Sequence, residues 1–469
     1  MQPRVIRFVV AGGLALAPST VWSAPQETPL DRTELGGSIR AADIDAIFAG
    51  FSGSDSPGCQ LGVLFRGEFV YKKAYGMADL ERRVPLTTSA PILTGSIAKQ
   101  FTAAVVAHLA REKKLSLSDS VRKYFPELPP YADAITIDHL IHHTSGLRDY
   151  LGLVAIGGEP DDFHTSESEF LELMARQRAL NFEPGTKHLY SNSGYVLLSI
   201  LVRRVTGKSL RAAADEILFA PLGMKHTFFD DRPAELTPDR VLAYSRRGTR
   251  YVLDTNASNG VVGDGALFTT VEELRLWDRY LSNGVAEELF TGTKLKDGTA
   301  IPYAFGLTLN SFFGRRLIAH GGSYKGYRAQ LFKLPAEKLT VVCLCNSADS
   351  DPSGRAAKVA ALFLNRKLPE QPAASPAKRQ SVSISQEELA KYAGVYYSPD
   401  LDAAYEVTVG QGKLAFRCKH SIFDAEPEGE HRFRFSNYSI QFDVDGKGKV
   451  TGYTLNALRV WNLHWVRRN

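Results

Sequence analysis

The run from residue 97 to 110 is apolar on almost every side of a helical wheel, broken only by Lys99, Gln100, Thr102 and His108. An apolar circumference predicts a helix buried at the centre of a domain. Before it, apolar stretches at 61–65 and 69–75, separated by Arg66-Gly67-Glu68, predict a β-hairpin. Strand character returns at 316–320, 327–334 and 339–345, with turns expected at Gly321-Gly322 and Pro335-Ala336, and these strands extend the same sheet. The middle of the chain is mostly helical: Thr136 is placed to cap one helix, and Thr270 to Glu273 reads as a capping box leading into Leu274 and Trp277. A last helix is expected over 355–364.

From 369 to 383 the chain is rich in Pro, Ala, Gln and Ser, the composition of a linker. After Tyr392, short alternating runs at 404–409, 413–418, 432–435 and 439–444 predict a small antiparallel barrel or sandwich. A chain of 469 residues is also too long for one ordinary core. The organisation expected is therefore a first domain over 38–367, a linker over 368–385 and an all-β domain over 386–469. Residues 1–24 read as a cleaved signal peptide: Arg4 and Arg7, an apolar run over 8–17, then Val21-Trp22-Ser23 before Ala24. That run is short for a membrane span and ends in Pro18-Ser19, so an exported, periplasmic or secreted protein without a stable span is expected.

The net charge of +5 comes from 56 basic and 51 acidic residues scattered without a stripe, which argues against a nucleic-acid partner. Cys59, Cys343, Cys345 and Cys418 all fall in strand-like contexts and read first as buried core thiols. A disulfide from Cys59 to Cys343 or Cys345 stays open in an oxidising compartment. No metal-ligand spacing is present.

Chemistry concentrates at the start of the buried helix, where Ser96-Ile97-Ala98-Lys99 puts a hydroxyl and an amine one turn apart. Burial favours a neutral amine, which turns a lysine into a base. A second match, Ser375-Pro376-Ala377-Lys378, lies in the linker and reads as solvated. Tyr190-Ser191-Asn192 follows Glu183-Pro184-Gly185 and precedes a helix. Taken alone it is an ordinary half-buried tyrosine; beside Ser96 it can carry a proton to a leaving group while Asn192 orients a substrate amide. His320-Gly321-Gly322-Ser323 alone reads as a Gly-rich turn. Its missing side chains also allow close approach to a ligand, and the amides of Ser323 and Ser96 can form an oxyanion hole.

Together Ser-x-x-Lys, Tyr-x-Asn and His-x-Gly, in that order, resemble the serine hydrolases of the class C β-lactamase and penicillin-binding protein superfamily. His143-Thr144-Ser145-Gly146-Leu147 and 265–270, with Leu274 and Trp277, look like two further segments of that family, and the resemblance covers about residues 40 to 365. It implies an α/β fold, an antiparallel sheet flanked by helices plus a helical region, with no cofactor. By the same resemblance Ser96 is the acylated nucleophile, Lys99 and Tyr190 transfer protons, Asn192 and the strand His320, Gly321, Gly322, Ser323 bind substrate, and His142 and His143 are structural. The superfamily's β-lactamases and carboxypeptidases usually carry Lys-Thr-Gly where this chain has His320-Gly321-Gly322. Imidazole is mostly neutral at pH 7, which favours the branch of D-amino-acid peptidases, amidases and esterases. The C-terminal domain resembles a lipocalin-like barrel. The function expected is hydrolysis of a small-molecule or peptide amide or ester, cell-wall fragments among the candidates. A β-lactamase or D-Ala-D-Ala carboxypeptidase, and a non-catalytic wall-binding or assembly protein, are the alternatives.

Overall fold

The computed structural model describes residues 40–51, 53–160, 162–232, 234–255, 260–284, 286–369, 382 and 384–468. The leader expected over 1–24, the second Ser-x-x-Lys match and most of the linker lie outside the described residues.

Six antiparallel strands form the first sheet: β1 (Cys59–Phe65), β2 (Glu68–Tyr75), β3 (Thr308–Phe312), β4 (Arg315–Tyr324), β5 (Tyr327–Leu334) and β6 (Leu339–Cys345). Their order is β3-β4-β5-β6-β1-β2, so the N-terminal hairpin is joined to the later strands through β1 and β6. β1 is buried along its whole length, which explains its near-continuous apolar sequence. One face, with Leu61, Val63 and Val341, packs on α1 (Ala41–Ile47) and α5 (Pro352–Phe363) through Ile44, Val359 and Phe363. The other face, with Leu331, Val342 and Leu344, meets a helical body containing α2 (Ala98–Arg111), α3 (Asn192–Thr206) and α4 (Val271–Ser282). Trp277 of α4 donates its indole N–H to Gln100 of α2 at 2.6 Å, tying two apolar helices together by one buried polar bond.

Three sequence expectations need correction. First, the turn expected at Gly321-Gly322 is not there: β4 runs on to Tyr324, and the chain reverses before Tyr327. Second, Thr270 caps α4 by accepting from the Glu273 N–H at 3.0 Å, but Glu273 does not return the bond to close the box. Its carboxylate accepts instead from the His226 N–H and the Thr227 hydroxyl, because a tertiary neighbour with buried donors outcompetes the local motif. Third, two of the four cysteines are not thiols. Cys59 and Cys345 face each other in the β1–β6 register and form a disulfide, while Cys343 and Cys418 are buried and unlinked.

The second domain is a closed barrel of β7 (Gly394–Ser398), β8 (Ala403–Val409), β9 (Leu414–Cys418), β10 (Ser421–Gly429), β11 (Arg432–Phe435), β12 (Tyr438–Val444), β13 (Val450–Ala457) and β14 (Val460–Arg468). Closure leaves no edge strand, and alternate residues point inward. Tyr405, Phe416, Phe442, Tyr453 and Trp465 are buried in the interior, and Tyr405 and Phe423 line a cavity of ≈ 10 Å³ that Ala155 of the first domain also borders.

Candidate active site

Ser96 sits in a tight turn, Gly95–Ile97, that runs straight into α2. Gly95 is at φ +54°, and a Cβ there would lie 2.7 Å from the Ser323 nitrogen. On the facing strand a Cβ on Gly322 would lie 1.8 Å from the Thr94 carbonyl oxygen and 3.2 Å from the Ser96 nitrogen. Two glycines thus let β4 lie directly against the Ser96 turn, bringing the amides of Ser96 and Ser323 to the same place. The pairing of β3 with β4 ends at Thr308–Ala319, so the stretch from His320 to Tyr324 presents its outer edge to that turn.

Lys99 is fully buried, and its amine makes three hydrogen bonds: to Ser96 Oγ at 3.2 Å, to Asn192 Oδ1 at 2.9 Å and to the Asp264 carbonyl at 2.5 Å. Three acceptors fix the amine against the serine hydroxyl. The Tyr190 ring lies over that amine, 4.8 Å from centroid to Nζ. Asn192 opens α3, and its backbone N–H donates to Asp149 Oδ2 at 2.8 Å, which locks the start of that helix to the segment after His143. The structure therefore gathers Ser96, Lys99, Tyr190, Asn192 and the His320–Ser323 strand, all of them singled out from the sequence, into one cluster.

His320 is buried, with Nδ1 2.6 Å from the Gly321 carbonyl and Nε2 3.0 Å from the Tyr303 hydroxyl. A carbonyl only accepts, so Nδ1 carries the proton and Nε2 accepts from Tyr303. Burial, and next the charge of Lys99, hold the imidazole down to about 4, so it is neutral at pH 7. His188 is likewise held at about 4 by burial and then by His142, and burial pushes His143 well below the ordinary value. His143 accepts the Ser191 N–H at Nδ1 and packs 4.2 Å from the Tyr190 ring, a supporting wall for the tyrosine loop. His142 binds Asp138 at 3.0 Å and the Thr291 carbonyl at 3.2 Å, also a structural role.

Several site residues carried no motif. Asp264 supplies the backbone carbonyl that holds Lys99, while burial pushes its carboxyl up to about 6 against the opposing pull of Lys99; the acid accepts from Tyr150 at 3.3 Å. Its place just before the 265–270 segment was the available signal. Asp149 and Arg148 lie just beyond His143–Leu147. Arg148 is wholly buried and reaches into the barrel: Nη1 pairs with Asp400 Oδ2 at 2.8 Å, Nε and Nη2 donate to the Trp461 and Asn462 carbonyls at 3.1 and 2.7 Å. The turn between β13 and β14 then puts Arg459 over the outer part of the site, its guanidinium 4.8 Å from the Tyr190 ring centroid. Nothing in the local sequence marks Arg459, since its position follows only from how the two domains dock.

This arrangement, a buried lysine bonded to a serine at a helix start and faced by a glycine-lined strand, defines a serine hydrolase. A β-lactamase family model matches residues 44–366, and the chain belongs to that family. Penicillin-binding protein 4* of Bacillus subtilis (strain 168) is 27% identical over 401 residues, covering 80% of this chain and 87% of that protein. The D-aminopeptidase of Brucella anthropi is 30% identical over 320 residues, 66% of this chain, and the match spans only 59% of the aminopeptidase. Among solved structures, the octameric penicillin-binding protein homologue from Pyrococcus abyssi superimposes with a TM-score of 0.60 at 23% identity, covering 91% of this chain and 98% of that one. The D-amino acid amidase from Ochrobactrum anthropi SV3 gives 0.57 at 20% identity over 70% of this chain and 99% of its own. These two structures speak to fold alone. Among the described residues no helix is long and apolar enough to cross a membrane.

Proposed function

We propose that the protein is an exported serine hydrolase that cleaves D-amino-acid peptides, amides or small esters through an acyl-enzyme on Ser96. The observation that carries this reading is the 3.2 Å bond between the buried Lys99 amine and Ser96 Oγ, with the Tyr190 ring alongside. In the first half-reaction Ser96 Oγ attacks the substrate carbonyl carbon and its proton passes to the Lys99–Tyr190 pair. The backbone N–H groups of Ser96 and Ser323 hold the oxyanion. The pair then returns the proton to the leaving nitrogen or oxygen, the carbonyl carbon–leaving group bond breaks, and the amine or alcohol departs. In the second half-reaction water loses a proton to the same pair and attacks the ester, the proton goes back to Ser96 Oγ, and the acid leaves. Asn192 Oδ1 is committed to Lys99, so its NH2 is the end that orients a substrate carbonyl.

The neutral His320 supports the peptidase, amidase and esterase branch over penicillin hydrolysis, as do the D-aminopeptidase relatives. Export is supported by the Cys59–Cys345 disulfide, a bond at home in an oxidising compartment. The test is a fluorophosphonate probe on the mature protein with the adduct mapped by peptide mass spectrometry. Labelling confined to Ser96, absent in Ser96→Ala and slowed in Lys99→Ala, is the result expected. A folded protein that takes no label would instead support a binding protein that keeps the pocket without the chemistry.

A further inference from the structure

We propose that Arg459, delivered by the barrel, is the anion-recognising residue of this cleft and selects substrates that carry a carboxylate on the leaving-group side of the scissile bond. The inference rests on the hydrolase reading above and adds a substrate charge and a residue to it.

Lys99 is buried and its three bonds are spent on Ser96, Asn192 and Asp264. His320 carries no charge at neutral pH. Arg148 is wholly buried, with Nε, Nη1 and Nη2 all bonded to Gln177, Asp400 and barrel carbonyls. Arg459 differs from all three. Its side chain is 37% exposed, and among the described residues its guanidinium makes no hydrogen bond.

Its one acidic neighbour does not occupy it. Asp149 Oδ2 stands 3.8 Å from Arg459 Nη1, too long for a hydrogen bond. The Asp149 carboxylate is already taken by the N–H groups of Leu151, Gly152 and Asn192. The planar fork that suits a carboxylate is therefore open.

The backbone beneath it is held firmly. The Arg459 carbonyl accepts from the Asp149 N–H at 3.2 Å and from Asn181 Nδ2 at 3.1 Å, and Asn181 Oδ1 accepts from the Trp461 N–H at 2.7 Å. A cation on a braced turn loses little freedom when it binds. The Tyr190 ring lies within 4.8 Å of Lys99 Nζ and of the Arg459 guanidinium alike. An anion on Arg459 therefore sits beside the residue that hands the proton to the leaving group, which places the carboxylate on that side.

The experiment compares kcat/KM of the full-length protein on an N-acyl D-dipeptide with a free carboxylate and on its carboxamide, with Arg459→Gln and Arg459→Lys in parallel. A charge-assisted bond implies a wild-type preference for the carboxylate of about tenfold or more. Arg459→Gln is expected to erase that ratio, chiefly through KM, and Arg459→Lys to restore part of it. Competitive inhibition by a free D-amino acid, the leaving-group product, should weaken in the glutamine variant, whereas inhibition by its carboxamide should not change. Equal treatment of carboxylate and carboxamide by a wild type that labels on Ser96 overturns this inference alone. Failure of Ser96 to label at all removes the hydrolase reading, and this inference with it.

Discussion

At the scale of single residues, the site is dominated by groups kept neutral by burial. His143, His188 and His320 are all held below the ordinary imidazole value, two of them at about 4. A histidine whose folded value is depressed stabilises the fold fully above its unfolded value near 6.5 and loses that contribution as pH falls toward 4. Asp264, raised to about 6, acts in the opposite sense, gaining protons in the fold while the unfolded chain stays ionised to about 4. Three imidazoles against one acid predict a melting temperature lower at pH 4.5 than at pH 7. His188→Gln, outside the reacting groups, should shrink that difference; an unchanged difference in the variant would count against burial as its cause. The residues that carry this behaviour divide by legibility. Ser96, Lys99, Tyr190 and His320 announced themselves by spacing, because catalysis needs those side chains at fixed offsets on a helix, a loop and a strand. Asp264 and Asp149 did not, because one acts through its backbone carbonyl and the other through three backbone N–H groups, and neither use constrains neighbouring residue types.

At the scale of elements, hydrophobic patterning recovered the N-terminal hairpin, the buried helix, the later strands and the barrel, since each buries a face whose period survives in the sequence. It failed at Gly321-Gly322. A glycine pair is a local signal for a turn, but these glycines answer a tertiary demand, the close approach of β4 to the Ser96 turn. That distinction makes a prediction. A methyl group on Gly322 would meet the Thr94 carbonyl at 1.8 Å, so the strand and the nucleophile turn must separate. Gly322→Ala is expected to slow fluorophosphonate labelling of Ser96 by about 100-fold, the cost of a displacement near 1 Å at a reacting centre. Far-UV circular dichroism should stay at the wild-type signal, because β4 retains its register with β5. Labelling at the wild-type rate would mean that the two amides do not act together.

At the scale of the whole molecule, the segment 143–149 is the hinge of the design. His143 supports Tyr190, Asp149 fixes Asn192, and Arg148 between them runs the other way into the barrel. Seven residues thus connect the catalytic cluster to the second domain, and the connection centres on one ion pair. Arg148 and Asp400 are both almost inaccessible, at 0% and 3%, and Asp400 also binds Arg178 at 2.7 Å. Removing one partner of a buried pair leaves the other charged in a medium that cannot solvate it, which costs about 3–5 kcal/mol. Asp400→Ala should therefore lower the stability measured by urea denaturation by that amount. A control lies two residues away: Asp402 is exposed, approaches Arg176 only at 3.9 Å and accepts from the Tyr397 hydroxyl at 2.9 Å, so Asp402→Asn, which keeps that acceptor and tolerates the local φ of +51°, should stay within about 0.5 kcal/mol of wild type. If the barrel merely hangs from its linker, Asp400→Ala will unfold the barrel earlier and leave Ser96 labelling untouched. If it is part of the active site, as the 143–149 segment and Arg459 indicate, labelling of the still-folded variant will slow as well, because loosening Arg148 releases Asp149 and with it the start of the helix that carries Asn192.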